Sequence, residues 1–353
     1  MRTIRVAING FGRIGRSFFR QAFNREEIEI VAINDLGDVD NLAYLLKYDS
    51  AYGHAPFAHI SVEERDGQRF LNVDGYWVHV FAERDPGALP WGAHTIDLVI
   101  ESTGFFAGYE KSKPHLEAGA KRVLISAPVK DDPQEVGVPG ATILLGINEG
   151  ELAQCQITSN ASCTTNSASP LVQILHETIG IEKAMLNTIH AYTSTQALVD
   201  SPDRSGKGDF RRGRAAAHNI IPASTGAAKA VTKVITDLEH RFDGLAMRVP
   251  VIAGSIADVT FLASRPTNVE EVNHLLREAA GNERWAQTFG VTDEPLVSSD
   301  IVGSSYASLA DLSLTRVVDG DLVKVCAWYD NEAGYTASLV AHAIKSGSYE
   351  ARE

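Results

Sequence analysis

Arg5-Val6-Ala7-Ile8-Asn9-Gly10-Phe11-Gly12-Arg13-Ile14-Gly15 is the stretch on which the fold turns. Arg5-Val6-Ala7-Ile8 reads as a short buried strand, three glycines follow in the spacing G-x-G-x-x-G, and residues 17–23 read as a helix. A glycine-rich turn alone is common. A strand before it and a helix after it make it a dinucleotide fingerprint, with the helix N-terminus facing a pyrophosphate. A second strand over residues 28–33 ends in Asn34-Asp35. That is about 20 residues beyond the glycines, where a carboxylate can bond a ribose 2′-hydroxyl.

Working outward, strand patterns over 96–100, 122–125 and 143–145 alternate with helical or irregular segments. Such alternation predicts a mostly parallel, doubly wound sheet of the Rossmann type, with ligands collecting at the carboxyl ends of its strands. Glu101-Ser102-Thr103-Gly104 and Ser126-Ala127-Pro128 fall at two of those ends. Small polar residues there suit a cofactor, and turn chemistry accounts for them as well.

The 353 residues allow two domains, and the 44% hydrophobic content supports real cores. No apolar run approaches the roughly 18 residues of a membrane span, and the N-terminus leads straight into a strand, so the expectation is a cytoplasmic protein. Cys155, Cys163 and Cys326 have neither paired nor metal-ligand spacing, which fits a reducing compartment and no metal. A net charge of −13 argues against nucleic-acid or membrane partners while leaving room for a local phosphate site.

A second organising stretch is Ser159-Asn160-Ala161-Ser162-Cys163-Thr164-Thr165-Asn166-Ser167. A strand-like lead-in, Gln156-Ile157-Thr158, and an apolar-periodic segment over 170–176 place Cys163 at a helix start, with hydroxyl and amide neighbours to cap free N–H groups. The helix dipole there favours a thiolate, so an acidic thiol is expected. His190, at the end of a strand over 184–189, is the best placed histidine to partner it. Residues 194–214 have little periodicity and carry Arg204, Lys207, Arg211, Arg212 and Arg214; a solvated basic face and a phosphate site both account for them. Thr225 and Gly226 open a strong helix over 227–234, suiting an anion or simple capping. Strands over 245–251, 256–263 and 322–329, with a helix over 269–279, predict an α+β second domain with a mostly antiparallel sheet, and a last helix covers 333–345. Cys155 and Cys326 read as core residues.

These motifs together resemble phosphorylating glyceraldehyde-3-phosphate dehydrogenase along nearly the whole chain. The matching stretches are Ala7 to Arg16, Ser159 to Asn166, His190-Ala191-Tyr192-Thr193, Arg214-Ala215-Ala216-Ala217, Ser224 to Ala230, Arg248-Val249-Pro250 and Trp328-Tyr329-Asp330-Asn331-Glu332. The resemblance implies an NAD-binding domain of residues 1–162 with 333–353, discontinuous because the last helix returns to it. A catalytic domain of 163–332 would contain the basic loop 191–218. It implies oxidative phosphorylation of D-glyceraldehyde 3-phosphate to 1,3-bisphosphoglycerate in a glycolytic homotetramer. Cys163 would form a hemithioacetal and then a thioester, and His190 would activate the thiol. Thr193, Arg212 and Arg248 would hold the substrate phosphate; Ser162, Thr164, Thr225 and Gly226 would hold the attacking phosphate. Arg13, Ile14, Asp35, Arg84, Ser126 and Asn331 match the cofactor contacts.

The chain departs from the family pattern at Ser167, Ser194-Thr195, Ala333 and the slightly longer loop at Ser205-Gly206-Lys207-Gly208. Asp35 repels a 2′-phosphate and Leu36 resembles NAD-preferring members, whereas Ser201-Pro202 resembles members that accept NADP, so NAD is expected and NADP is the second candidate. Two rival functions are an erythrose-4-phosphate dehydrogenase and a non-catalytic, redox-sensing dinucleotide-binding protein with Cys163 as its sensor.

Overall fold

In the computed structural model, which describes residues 3–202 and 208–349, the opening motif folds as strand, turn and helix. The chain divides into two compact units: Met1–Ile143 with Asn148–Ala161 and Leu339–Glu353, and Leu144–Ile147 with Ser162–Ser338. Arg204, Ser205, Gly206 and Lys207 of the basic loop lie outside the described residues.

The first unit runs β1 (Ile4–Asn9), α1 (Arg13–Ala22), β2 (Ile28–Asn34), α2 (Val39–Lys47), a short hairpin β3 (Tyr48–Asp49) and β4 (Gly53–His54), and then a meander β5 (Ile60–Arg65), β6 (Gln68–Val73) and β7 (Tyr76–Phe81). It continues with β8 (Leu98–Glu101), α3 (Tyr109–Glu117), β9 (Arg122–Ile125), α4 (Pro133–Val136), β10 (Gly140–Thr142) and β11 (Ile157–Ser159). The sheet order is β10-β11-β9-β8-β1-β2-β7-β6-β5, parallel except for the meander. β1 therefore has β2 on one side and β8 on the other, the switch point where open α/β sheets bind ligands. Apolar side chains fill both faces: Phe18, Phe19, Leu339 and Val340 in one cluster, Trp91, Tyr109 and Ile125 in the other. The strand expected over 143–145 is not formed. The strand ends at Thr142; Ile143 N still donates to Ser159 O at 2.9 Å, and Ile143, Leu144 and Leu145 are buried where the chain turns at Gly146, whose φ is +81°.

Under the switch point lies a buried polar network. Trp91 Nε1 donates to His115 Nδ1 at 2.9 Å, which leaves the ring proton on Nε2, 3.3 Å from Glu101 Oε2. Glu101 also accepts from Asn9 and from Thr103 N, so the carboxylate is buried with its lone pairs satisfied. In the same unit His342 is fully buried; its Nδ1 lies 3.0 Å from Asn160 Oδ1, and Nε2 has no hydrogen-bond partner among the described residues. Burial, then the charge of Lys345, hold its pKa down to about 3. Between that value and the ordinary ~6.5 the unfolded chain binds the proton and the folded one does not, so stability falls as pH drops through this window. A His342→Leu variant is expected to lose less stability on acidification, by up to about 1.4 kcal/mol per pH unit, in denaturant titrations at pH 7 and 5.

The second unit contains α5 (Cys163–Thr178), β12 (Ile181–Ala191), β13 (Ile221–Ser224), α6 (Ala227–Val234), β14 (Phe242–Val249), β15 (Ser255–Ala263), α7 (Val269–Ala280), β16 (Phe289–Thr292), β17 (Ser308–Asp311), β18 (Arg316–Val318) and β19 (Leu322–Tyr329). The last helix, α8 (Ala333–Gly347), begins in this unit and ends in the first. Its sheet runs β13-β14-β12-β15-β19-β17-β16, mostly antiparallel, with parallel pairs β12–β14 and β16–β17. On one face Ala184, Leu186, Ala257, Val259, Phe261, Val323 and Val325 pack with Leu171, Leu175 and Val231 of the helices. The period-2 alternation of β12 puts Thr188 and His190 on that same face, and turns Met185, Asn187 and Ile189 to the other.

Candidate active site

Helix α5 starts where the hydroxyl cluster predicts. Ser162 is its N-cap: the side chain accepts from Thr165 N at 3.1 Å, so Cys163 is the first helical residue. The thiol feels opposing influences. Burial pushes it above the ordinary value, and Arg248's charge, the Thr164 hydroxyl and the N–H groups of Thr164 and Cys163 pull only partly back. Desolvation, a tertiary effect, thus opposes the acidity that the helix start favours.

His190 reaches this thiol because β12 ends beside it: Cys163 Sγ lies 3.3 Å from His190 Nε2. The parallel register of β12 and β14 places His190 directly opposite Arg248, whose Nη1 contacts His190 Nδ1 and donates to Ala191 O at 3.1 Å. Ala191 O is also 2.7 Å from Nδ1. Burial first, and Arg248's charge second, hold His190 down to about 3, so the imidazole is neutral near neutral pH. Tyr329 closes the group from β19: its hydroxyl bonds Thr164 Oγ1 at 2.9 Å and Thr188 Oγ1 at 2.7 Å, and its ring stands edge-on to His190 at 5.9 Å.

A cationic pocket adjoins the pair. Arg248 and Arg212 are close enough that Arg212's charge lowers Arg248's pKa. The Nε atoms of both are buried without a hydrogen-bond partner among the described residues; Arg212 Nε has only Asp209 at 3.9 Å. Arg212 Nη1 contacts Thr195 Oγ1 at 3.4 Å, and Thr195 bonds Thr193 Oγ1 at 2.9 Å. Two unsatisfied guanidinium donors beside two hydroxyls are what a phosphate needs. Thr225 and Gly226 stand at the start of α6. Thr225 Oγ1 accepts from Ala227 N, Gly226 carries no side-chain cap, and space is open at the position of its missing Cβ. Among the described residues no hydrogen bond joins them to Cys163.

In the first unit, most of the expected cofactor residues gather at the carboxyl edge of the parallel strands. Asp35, at the end of β2, accepts from Phe11 N at 2.7 Å and from Gly37 N at 2.8 Å, tying itself to the glycine turn. Arg13 opens α1 and pairs with Asp49 at 2.8 Å; Ile14 packs on the core. Ser126 follows β9, and exposed Arg84 follows β7. A Cβ on Gly10 or Gly15 would collide with backbone at 2.6 Å or 2.1 Å, whereas space beside Gly12, the uncapped N-cap of α1, is open. The turn is therefore packed tightly and its N–H groups are reachable, which fits a pyrophosphate. Asn331 belongs to the second unit and accepts from Ser255 Oγ at 3.0 Å.

A family model described as the NAD binding domain of glyceraldehyde 3-phosphate dehydrogenase matches residues 4–109, and one described as its C-terminal domain matches 162–331. A glyceraldehyde-3-phosphate dehydrogenase of Clostridium pasteurianum is 47% identical over 340 residues, covering 95% of this chain and 96% of the relative. Glyceraldehyde-3-phosphate dehydrogenase 1 of Bacillus subtilis is 44% identical over 349 residues, covering 98% and 99%. The chain belongs to the glyceraldehyde-3-phosphate dehydrogenase family.

Against this family background the departures acquire structural meaning. Thr195 joins Thr193 to Arg212, so the unusual Ser194-Thr195 supplies a hydroxyl to the cationic pocket. Ser167 is fully buried and its hydroxyl has no hydrogen-bond partner among the described residues. Ala333 is buried, and its N–H donates to Asp330 Oδ1 at 2.9 Å at the start of α8. Cys155 and Cys326 are buried thiols pushed up to about 11 and about 12, hence poor nucleophiles. Sequence reasoning assigned no role to Tyr329, Ser255 or the Ala191 carbonyl. Tyr329 was visible only as a hydroxyl inside an apolar strand segment, and the other two carried no signal.

Proposed function

We propose that this protein oxidises D-glyceraldehyde 3-phosphate with NAD and captures the acyl group on inorganic phosphate as 1,3-bisphosphoglycerate. The observation that carries the reading is the Cys163–His190 contact at 3.3 Å beside two guanidiniums whose buried Nε donors have no hydrogen-bond partner among the described residues. Arg248, Arg212 and Thr193 hold the substrate's phosphate and so present its aldehyde to Cys163. His190 takes the thiol proton, the thiolate adds to C1, and the alkoxide of the hemithioacetal accepts a hydrogen bond from Nε2–H. NAD supplies the acceptor for the C1 hydride, leaving a thioester on Cys163. The first unit would hold it: α1 and Arg13 at the pyrophosphate, Asp35 at the adenosine ribose, and Ile14, Arg84 and Ser126 around it. The α6 start, with Thr225 and Gly226, and the hydroxyls of Ser162 and Thr164 would receive inorganic phosphate, which attacks the thioester and frees Cys163.

Asp35's carboxylate sets the cofactor. Replacing it with Asn is expected to lower kcat/KM for NAD roughly 10- to 100-fold, the worth of a charged hydrogen bond, and to narrow the preference over NADP. Kinetics with both cofactors measure this. The assay that decides the reaction varies glyceraldehyde 3-phosphate, NAD and phosphate. Turnover is expected to require all three, and turnover indifferent to phosphate, or faster on erythrose 4-phosphate, overturns the reading.

The homotetramer is part of the same proposal. The outer face of the second sheet exposes Met185, Leu245 and Leu322, and Oδ1 of both Asn187 and Asp258 is buried there without a hydrogen-bond partner among the described residues. An apolar face with unpaired polar atoms at its centre favours burial against another copy. No helix among the described residues is long and apolar enough to cross a membrane, and the three cysteines are free; both support placing the protein in the cytoplasm.

A further inference from the structure

Tyr329 is a buried phenol at the apolar end of β19, and its hydroxyl has two partners, Thr164 Oγ1 at 2.9 Å and Thr188 Oγ1 at 2.7 Å. The ring can span to β12 because β15, the strand between, carries only Ser255 and Ala257 there: Ser255 pairs with Tyr329, and Ala257 with Thr188. Three hydroxyls thus form a row from β12 to the first turn of α5, each with one proton to give. Two directions are open to it. Run from Thr164 toward Thr188, the row leaves the proton of fully buried Thr188 without an acceptor, since Thr188 Oγ1 has no other partner among the described residues. Run the other way, Thr188 donates to Tyr329, Tyr329 donates to Thr164, and every proton is used if Thr164 has an acceptor ahead of it. It has one: the Thr164 hydroxyl hydrogen-bonds the Cys163 sulfur and so favours its thiolate form. A buried donor left unpaired is costly, so the fold sets the second direction. Burial pushes the Tyr329 phenol's pKa up, which keeps it protonated and a donor.

We propose that Tyr329 and Thr188 are positioning residues that hold the Thr164 hydroxyl as a donor at the reacting centre, and that acylation of Cys163 turns this donor over to inorganic phosphate. The inference rests on the reading of Thr164 as a phosphate-receiving residue given above. Before acylation the Cys163 sulfur accepts from Thr164. In the thioester that sulfur carries no charge and, like a thioether, is a weak acceptor. Tyr329 and Thr188 still keep the Thr164 hydroxyl from reversing, so its proton lacks a good partner until an anion arrives. A phosphate oxygen supplies that partner, and the donor it meets is already oriented. Phosphate is thereby favoured at the thioester stage over the free thiol. In the attack an oxygen of hydrogen phosphate forms the C–O bond, the C–S bond breaks with its electron pair returning to sulfur, and the phosphate's proton passes to His190 Nε2. No oxidant or reductant enters this step. The returning thiolate is again an acceptor for Thr164, so the donor that received the phosphate also stabilises the leaving group.

Substitutions along the row separate this role from packing. Tyr329→Phe keeps the ring and its edge-on contact with His190 and removes only the bridging hydroxyl. It is expected to raise KM for phosphate about tenfold, the worth of one hydrogen bond to a charged group, and to slow the burst of NADH that precedes phosphate attack several-fold less. Thr188→Val, of the same shape, is expected to raise KM for phosphate about threefold, whereas Thr188→Ser, which keeps the hydroxyl, is expected to match the natural protein. In a Thr164→Val background neither Tyr329→Phe nor Thr188→Val is expected to cost more, since the residue they act through is gone. Stopped-flow absorbance of NADH, with glyceraldehyde 3-phosphate and NAD and with or without phosphate, reads both quantities. Equal losses in the burst and in KM overturn the relay, as does an unchanged KM in Tyr329→Phe where Thr164→Val raises it. So do additive losses in the double variants, or a Thr188→Ser protein no better than Thr188→Val. If Tyr329→Phe does not fold, the two Thr188 variants carry the same test. Thr164→Val with an unchanged KM for phosphate, or turnover that ignores phosphate, overturns instead the underlying reading of the phosphate site.

Discussion

Cys163→Ser is expected to lower kcat for aldehyde oxidation by about 10³-fold or more while leaving NAD affinity unchanged. A serine hydroxyl at the first position of α5 keeps the N-terminal environment, but its proton is far harder to remove than a thiol's. The base available is weak: His190's conjugate acid is held down to about 3 by burial and by Arg248. Local charge therefore cannot rescue an alkoxide. Asp35, Arg13 and Ser126 belong to the first unit, away in sequence from the substitution, so cofactor binding measured by calorimetry is expected to persist. Oxidation within tenfold of the natural rate would refute a covalent route through residue 163. Loss of cofactor binding along with activity would point instead to misfolding.

What the sequence disclosed follows the range of the interactions involved. The β1–glycine–α1 turn was legible because strand, turn and helix are consecutive and each carries its own local signal. The start of α5 was legible for the same reason, since Ser162 caps the helix that Cys163 begins. The meander β5–β7 was not. Its strands carry Glu63, Glu64, Arg65, Gln68 and Arg69 on a half-exposed edge, so the apolar alternation is diluted. The contact of His190 with Arg248 depends on a parallel register between strands 58 positions apart, and no local pattern encodes it. The desolvation acting on Cys163 was not legible for a related reason. A helix start is a local fact, but desolvation is set by what the whole unit packs around the sulfur, and here the second is larger.

Replacement of His190 by asparagine separates the histidine's two effects by giving them opposite signs. Asparagine can still donate a hydrogen bond toward Cys163 and keeps a polar group on the buried end of β12, but it cannot accept the thiol proton and carry it as a cation. Loss of a positioned base of this kind costs about 10²- to 10⁴-fold in kcat, and the pH dependence of Cys163 alkylation should shift toward that of an unassisted thiol. Stability should move the other way in acid. His190's pKa in the folded protein, about 3, lies below the ordinary value for an unfolded chain of about 6.5. In the interval between them the unfolded state holds an extra proton, so acidification favours unfolding by up to about 1.4 kcal/mol for each pH unit. Asparagine does not titrate and is free of this penalty. His190→Asn is therefore expected to be nearly inactive at pH 7 and, relative to the natural protein, more resistant to unfolding at pH 5 than at pH 7. Equal pH dependence in the two proteins would mean that His190 is not held neutral by its surroundings, and an activity loss below tenfold would remove it as the base.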